Sequence, residues 1–379
     1  MKILITGGHL TPALSFIEYL SEEQLPVEIV FVGREFSQAT QQQPSRERVE
    51  TEKRGARFMA LESGKSQFHH FSDFWKQPLL LMMGVAHSLR ILRQEKPDLV
   101  LTFGSYIGVP ISFAATLLRI PVVLHEQTHV MGLASRTIAH FAAFVALSRD
   151  IVNYQIASKK SIVTGNLLRR IFFLETPAQP EWLDYDSTIP ILYITGGSQG
   201  SLFLNETVAA TLEKLTEKWI IIHQCGTASS MYDPSAQMHK ATLGLGPLFK
   251  NRYFVREWVT DQELAWILSK ARLALARSGA NTVDELSLFK VPAIFIPLPK
   301  SHFGEQIKNA EEAADEKEGM VLFQSNATPE KVLIALSELT QSFLKVESTT
   351  EERKMHEAYH APSRLWEVIK QVLPQTASA

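Results

Sequence analysis

Short apolar runs, each closed by a glycine, a proline or a polar turn, recur along the chain with amphipathic stretches between them. In the first half they are Ile3 to Gly8 (ILITGG), Val27 to Val32, Leu99 to Phe103, Val122 to His125 and Phe144 to Ala146. The second half repeats the rhythm with Ile191 to Gly197 (ILYITGG), Trp219 to His223, Tyr253 to Val255, Leu273 to Ala276 and Ala293 to Ile296. Apolar runs bounded by breakers predict buried strands, and the helical periodicity between them, as from Pro12 to Leu20 or through Leu204, Val208 and Leu212, predicts crossover helices. Strands alternating with helices build a doubly wound parallel sheet.

The two openings resemble each other, since ILITGG and ILYITGG both run from a strand into a glycine pair. Gly8 and Gly197 lie 189 positions apart, which suits two successive α/β domains and not a solenoid repeat. The expected fold is therefore α/β, with two Rossmann-like doubly wound domains, residues 1–168 and 169–363. The proline-rich stretch from Phe172 to Pro190 reads as linker. The last helical pattern, Arg364 to Val372 within 364–379, is free to pack on either domain, a return to the first being one option.

Composition narrows the function. The chain has 379 residues, 45% hydrophobic and 21% charged, with a net charge of -2, so no global positive field argues for a nucleic-acid partner. A single cysteine, Cys225, excludes a disulfide framework and a thiolate metal cluster and reads as a small structural thiol. MKILITGG enters a strand with no secretion signal, and no apolar run is long enough to span a bilayer, so the expected location is cytoplasmic or on the cytoplasmic side of a membrane. His69-His70 are adjacent, a poor spacing for one metal, and read as loop residues. Gln38 to Pro44 and Glu347 to Glu352 read as solvated segments. Pro78 to Leu92 (PLLLMMGVAHSLRIL), with Arg90, Arg93 and Lys96 at its end, reads either as a core helix or as an interfacial helix for anionic headgroups.

The candidate chemistry sits at strand ends. Three glycine turns, Thr6-Gly7-Gly8-His9, Gly196 to Gly200, and Ser278-Gly279-Ala280, fall where open α/β sheets place ligands, and their distribution over two domains implies a ligand in a cleft between them. None fits GxGxxG, which argues against NAD. From Ala271 to Asn309 the pattern is a βαβ unit whose helix opens near Asn281-Thr282 behind Gly279 and Ala280. Its first amides lack internal partners and can hold a phosphate, while Glu285, one turn in, can accept bonds from a ribose diol. Phosphate plus diol suggests a nucleotide; ordinary turn chemistry with a solvated Glu285 is the alternative. His9, at a helix entry whose dipole disfavours the imidazolium, can serve as a general base or simply bond to backbone.

Taken together these residues resemble the MurG family of GT-B glycosyltransferases. Gly196 to Gly200 followed by Asn205, His223-Gln224-Cys225-Gly226, Ser278 to Glu285, and Gln306 with Asn309-Ala310 match its donor-side motifs in order. The resemblance implies GlcNAc transfer from UDP-GlcNAc to undecaprenyl-pyrophosphoryl-MurNAc-pentapeptide, with inversion and with neither cofactor nor metal. It assigns the pyrophosphate to Ser198, beside Gln199, and to the backbone of Ala280, Asn281 and Thr282, with Ser278 and Gly279 forming the turn. Val259 would meet the uracil, Glu285 the ribose and Gln306 the sugar hydroxyls, and Arg169 of GNLLR would approach the donor. On the acceptor side it points to Thr6, Gly7, Gly8, Tyr106, Glu126 and Thr128, with His9 as base. There the motifs depart: the first glycine loop is shorter, HEQN becomes His125 to Thr128, and GGYxSGP becomes Gly104 to Pro110. A UDP-GlcNAc 2-epimerase-like enzyme, or a glycosyltransferase with another lipid acceptor, remains the alternative.

Overall fold

The computed structural model describes residues 1–36, 44–61, 77–128, 130–149, 160–174, 177–186, 188–197, 199–227, 232–301, 304–342 and 357–373. The chain forms two compact units, Met1–Arg170 with His356–Ala379, and Ile171–Met355.

The first unit is a parallel sheet of β1 (Lys2–Thr6), β2 (Glu28–Gly33), β3 (Arg57–Ala60), β4 (Leu99–Thr102), β5 (Val122–Glu126), β6 (Phe144–Leu147) and β7 (Ser161–Val163). Their order, β3-β2-β1-β4-β5-β6-β7, reverses direction between β1 and β4, and the register pairs Ile3 with Ile29 on one side and Leu99 on the other. Crossovers run through α1 (Leu10–Glu22), α2 (Arg46–Lys53), α3 (Gln77–Glu95), α4 (Ser105–Leu117) and α5 (Leu133–Phe141).

Alternation along β1 builds two cores. Ile3 and Ile5 face Phe16 and Ile17 of α1 together with Leu365, Trp366 and Ile369 of a C-terminal helix, α14 (Ala361–Val372). Leu4 faces the other layer, with Leu92 of α3, Ile111 of α4 and Ile138 of α5. Full burial of each such side chain is worth about 1.5–3 kcal/mol. Phe16 and Trp366 approach to 6.4 Å between ring centroids, so α14 closes the same face as α1. Arg170 ties this return in place: its guanidinium pairs with Glu22 at 2.7 Å and donates to the Tyr359 carbonyl at 3.0 Å.

The second unit repeats the plan. Its strands β8 (Ile191–Thr195), β9 (Ile220–Gln224), β10 (Tyr253–Arg256), β11 (Ala271–Ala276), β12 (Ala293–Phe295) and β13 (Gly319–Val321) lie parallel in the order β10-β9-β8-β11-β12-β13. The helices are α6 (Ile171–Leu174), α7 (Leu202–Lys218), α8 (Pro234–Thr242), α9 (Pro247–Lys250), α10 (Asp261–Lys270), α11 (Ala280–Leu288), α12 (Glu305–Asp315) and α13 (Pro329–Ser342). Thr260 and Glu263 close a capping box at α10, satisfying amides that the helix start leaves open. The proline-rich stretch packs on this unit, Tyr185 edge-on to Trp266 at 5.3 Å and the Trp182 indole donating to Glu263 at 2.5 Å.

Three strands, β3, β7 and β13, have no counterpart in the sequence-based expectation. All are short sheet edges with half-buried or exposed residues, so they lack the continuous apolar run that marks a strand covered on both faces.

Candidate active site

In the second unit the candidate residues gather at the carboxyl ends of β8, β9, β11 and β12, around the reversal of strand order between β8 and β11. Two glycines of the first turn there, Gly196 and Gly200, are demanded by contact. A Cβ on Gly200, whose φ is +74°, would stand 2.2 Å from the Cys225 carbonyl oxygen. One on Gly226 would meet the Gly200 Cα at 2.5 Å, so the two loops pack backbone to backbone. Asn205, buried in the first turn of α7, donates to the Cys225 carbonyl at 3.1 Å, and Gln224 donates to the Gly197 carbonyl at 3.1 Å. These two amides fasten the end of β9 to the glycine turn. Gln199 is exposed on the turn, whereas Ser198 lies outside the described residues.

The second turn leads into α11. Gly279 is its N-cap with φ -64°, a conformation open to any residue, and a Cβ there would find only Thr282 Oγ1, at 4.0 Å. The glycine therefore answers no need of the protein's own packing; it leaves room above a helix start that has no side-chain cap and no acidic residue in its first turn, which Ala280, Asn281 and Thr282 form. Ser278 is fully buried: its hydroxyl donates to the Gln306 carbonyl at 2.6 Å and its carbonyl accepts from Asn309 Nδ2 at 2.9 Å. Asn309 and Ser278 thus lock the start of α11 to α12. Gln306 is held by its side-chain oxygen, which accepts from the Leu298 amide at 3.0 Å. Glu285 is buried in the second turn of α11. Val259 is only 1% exposed, which leaves its backbone, and not its side chain, to meet a base.

Arg277, between β11 and this turn, is a residue the sequence reading missed. Its guanidinium is buried and bonds to neutral partners: Ser201 Oγ at 3.1 Å, the Ile296 and Pro297 carbonyls at 2.9 and 3.2 Å, and Gln324 Oε1 at 2.8 Å. Desolvation lowers its pKa to about 10, so it stays charged at neutral pH. Nothing local in ARSGA announces a buried cation; its partners lie up to 76 residues away.

In the first unit, Thr6 is buried and bonds Thr102 at 2.8 Å. In the glycine turn behind it the amides of Gly7 and Gly8 are already taken. The Gly7 amide donates to the Val32 carbonyl at 2.7 Å, and the Gly8 amide donates to the Glu47 carboxylate at 2.9 Å. His9 occupies the N-cap position of α1 without a side-chain cap bond. Surrounding protein pushes its pKa down to about 4, yet the ring is exposed, and contact with water opposes so large a shift. The direction agrees with the helix dipole and keeps the imidazole neutral near pH 7.

Tyr106, in the first turn of α4, is partly exposed, and desolvation raises its phenol pKa. Glu126, at the end of β5, is buried; burial raises its carboxyl pKa, and the Thr128 amide and hydroxyl bond it at 2.9 and 2.7 Å. Arg169 is half-buried at the end of this unit. Cys225 is buried, and desolvation pushes its thiol up to about 12, which makes it unreactive near neutrality.

Residues 6–147 match the glycosyltransferase family 28 N-terminal domain and residues 191–365 the family 28 C-terminal domain. A UDP-N-acetylglucosamine–N-acetylmuramyl-(pentapeptide) pyrophosphoryl-undecaprenol N-acetylglucosamine transferase of Clostridium kluyveri is 32% identical over 359 residues, 90% of this chain and 92% of the relative. MurG of Acinetobacter baumannii superposes with a TM-score of 0.60 at 25% identity, over 98% of this chain and 99% of that one. The chain belongs to the MurG family. It is a UDP-sugar glycosyltransferase with the two-domain, Rossmann-like GT-B fold. The UDP-GlcNAc 2-epimerase of Neisseria meningitidis, solved with UDP-GlcNAc bound, shares the fold alone, with a TM-score of 0.66 at 14% identity over 98% of this chain and 100% of that one.

Within this MurG-family chain the structure brings Asn205, Ser278, Gln306 and Asn309 into direct bonds with the two donor-side turns or their neighbours. Thr6, Gly7, Gly8 and His9 form one turn of the first unit. His69-His70, Glu347 to Glu352 and all of Gln38 to Pro44 except its last residue lie outside the described residues.

Proposed function

We propose that this MurG-family enzyme transfers GlcNAc from UDP-GlcNAc to the 4-hydroxyl of undecaprenyl-pyrophosphoryl-MurNAc-pentapeptide, a step of peptidoglycan synthesis. The observation that carries the donor side is the uncapped start of α11, left open by Gly279, with the buried carboxylate of Glu285 farther along the same helix. A diphosphate over those amides and a ribose diol on Glu285 span one and a half helical turns. Ser198 and Gln199 on the first turn add contacts to the pyrophosphate, the Val259 backbone meets the uracil, and Gln306 orients the sugar. Arg277 offsets the diphosphate charge from beneath.

In the reaction the acceptor oxygen forms its bond to C1 as the bond from C1 to the UDP oxygen breaks, and the electron pair leaves with UDP. Inversion follows from this single displacement. His9, neutral and exposed, takes the proton of the acceptor hydroxyl. Charge growing on the leaving diphosphate meets fixed amides and the dipole of α11, so the chemistry is electrostatic. Glu126, Thr128, Tyr106 and Arg169 complete the polar surroundings of the substrates.

The lipid acceptor calls for a membrane surface, and no helix among the described residues is long and apolar enough to cross one. Ser88, Ile91 and Leu92 of α3 are buried in the core, while Met82 and Met83 of the same helix are exposed at 68% and 57%. The side chains of residues 77–81 lie outside the described ones. Leu117 of α4, Leu133 of α5, and the basic Arg90 and Arg93 are exposed on the same run of helices. We assign this surface to peripheral attachment at the cytoplasmic leaflet.

The deciding experiment offers radiolabelled UDP-GlcNAc with the lipid-linked MurNAc-pentapeptide, with diacylglycerol, or alone. Label in the first lipid, abolished in His9→Ala with donor affinity kept, is expected. Label in diacylglycerol, or conversion of the sugar without any acceptor, refutes the proposed acceptor.

A further inference from the structure

We propose that Ser105 and Glu47 form a two-point clamp that positions His9, Ser105 accepting a disfavoured backbone conformation to do so. The inference rests on the assignment of His9 as base and extends it to residues that touch neither substrate.

Glu47 lies in the first turn of α2, buried, and its carboxylate reaches two loops at once. It accepts from the Gly8 amide at 2.9 Å through one oxygen and from the Arg34 amide at 2.9 Å through the other. No side chain fits between the loops, since a Cβ on Gly7 or Gly33 would come within 2.8 or 2.6 Å of that carboxylate. The amide it holds belongs to the residue just before His9.

Ser105 grips the same turn from the other side. Its hydroxyl donates to the Gly7 carbonyl at 2.9 Å, and a Cβ on Gly8 would meet that hydroxyl at 2.1 Å. Ser105 does this at φ +68°, a left-handed conformation costly for any residue with a Cβ. A glycine would hold that backbone without strain but would bring no hydroxyl. With the Gly7 amide bonded to Val32, both polar groups of Gly7 and the amide of Gly8 are fixed. His9 itself has no side-chain bond at its helix start, so its ring direction is set by the turn that presents it. Local strain that persists only because it aims another group marks a functional position.

The test is Ser105→Gly and Glu47→Gln, each alone and combined with His9→Ala, in the full-length enzyme with UDP-GlcNAc and the lipid acceptor. Ser105→Gly is expected to lower kcat by about 10- to 100-fold, the cost of a base misplaced by roughly an ångström. UDP affinity stays unchanged, and Tm is equal to or above that of the parent because the strain is relieved. Glu47→Gln, which keeps the volume but turns an NH2 toward one of the two amides, is expected to lower kcat similarly. In the His9→Ala background neither change costs anything further, the signature of residues that act through His9. Parental kcat in Ser105→Gly, or an equal fold-loss with and without His9, overturns the clamp. Parental turnover in His9→Ala alone instead overturns the base assignment, and a loss in Ser105→Gly beside it would show that the turn serves another group.

Discussion

Replacing Glu285 by glutamine should weaken UDP binding about 100-fold while the fold stays intact. In α11 the rise of about 1.5 Å per residue puts the Cα of Glu285 roughly 7–8 Å along the axis from Ala280. Its side chain leans back toward the helix start, over which a diphosphate would lie. Hydrogen bonds to a charged acceptor are worth about 1.5–3 kcal/mol each. Two ribose hydroxyls, each giving up water, make a net of about 3 kcal/mol reasonable, and that is about two decades in Kd. Glutamine keeps the volume of this buried side chain, so the loss should come from charge and not from a cavity. Isothermal titration with UDP, 2′-deoxy-UDP and 3′-deoxy-UDP reads the effect. The parent should lose about tenfold for each missing hydroxyl, and the variant should barely distinguish the three. Unchanged UDP affinity, or parental discrimination against the deoxy analogues, would refute the ribose assignment.

Arg277→Met should weaken UDP by about 10-fold more than it weakens uridine, because a unit charge within about 10 Å of the diphosphate is worth roughly 1.5 kcal/mol at an effective dielectric constant of about 20; equal losses for the two ligands would make Arg277 purely structural. Stability should fall on acidification, since burial holds the folded-state pKa of His125 at about 4 and of His223 at about 3, below the 6.5 of an ordinary histidine. Between pH 6.5 and 4 the unfolded chain binds these protons and the folded chain does not, so each residue removes up to about 3 kcal/mol as pH drops through that window, and His223→Asn should flatten the slope seen by urea unfolding. Sedimentation with liposomes should require anionic lipid and weaken in an Arg90→Gln, Arg93→Gln double variant; binding indifferent to both would detach this surface from the membrane.

Much of the second unit was legible in the sequence because its site is built from local patterns. An apolar run, a glycine turn and a helix start lie within a few residues of one another from Leu273 to Glu285, and the structure keeps all three in that order. What escaped was non-local or conformational. Glu47 bonds an amide 39 residues away, and the sequence of its helix, RERVETEK, has no feature that marks a buried carboxylate. Ser105 hides its positive φ because serine, unlike glycine, does not advertise one. The edge strands escaped for lack of burial, and the placement of α14 depends on Trp366 meeting Phe16, some 350 residues away in sequence.

The two glycine turns that looked alike in sequence differ in what lies against them. Both follow the first strand of a parallel sheet and both enter a helix, so both begin as anion sites by geometry. In the first unit the protein's own carboxylate, Glu47, occupies the Gly8 amide, and a phosphate there would have to displace a buried anion. In the second unit Asn205 and Gln224, both neutral, brace the loop through carbonyls, and the neighbouring α11 start carries neither a side-chain cap nor an acid. An anion is therefore favoured at the start of α11 and opposed at the Gly8 amide, beside which the exposed group is an imidazole. Under the proposed assignments the second unit holds the nucleotide at the start of α11 and the first presents a base at its glycine turn, where Glu47 fills the Gly8 amide. Glu47→Gln should make the first turn less hostile to inorganic phosphate without making it a donor site, because the second unit's helix start and Glu285 are untouched; a variant that bound UDP at two sites would break the asymmetry argued here.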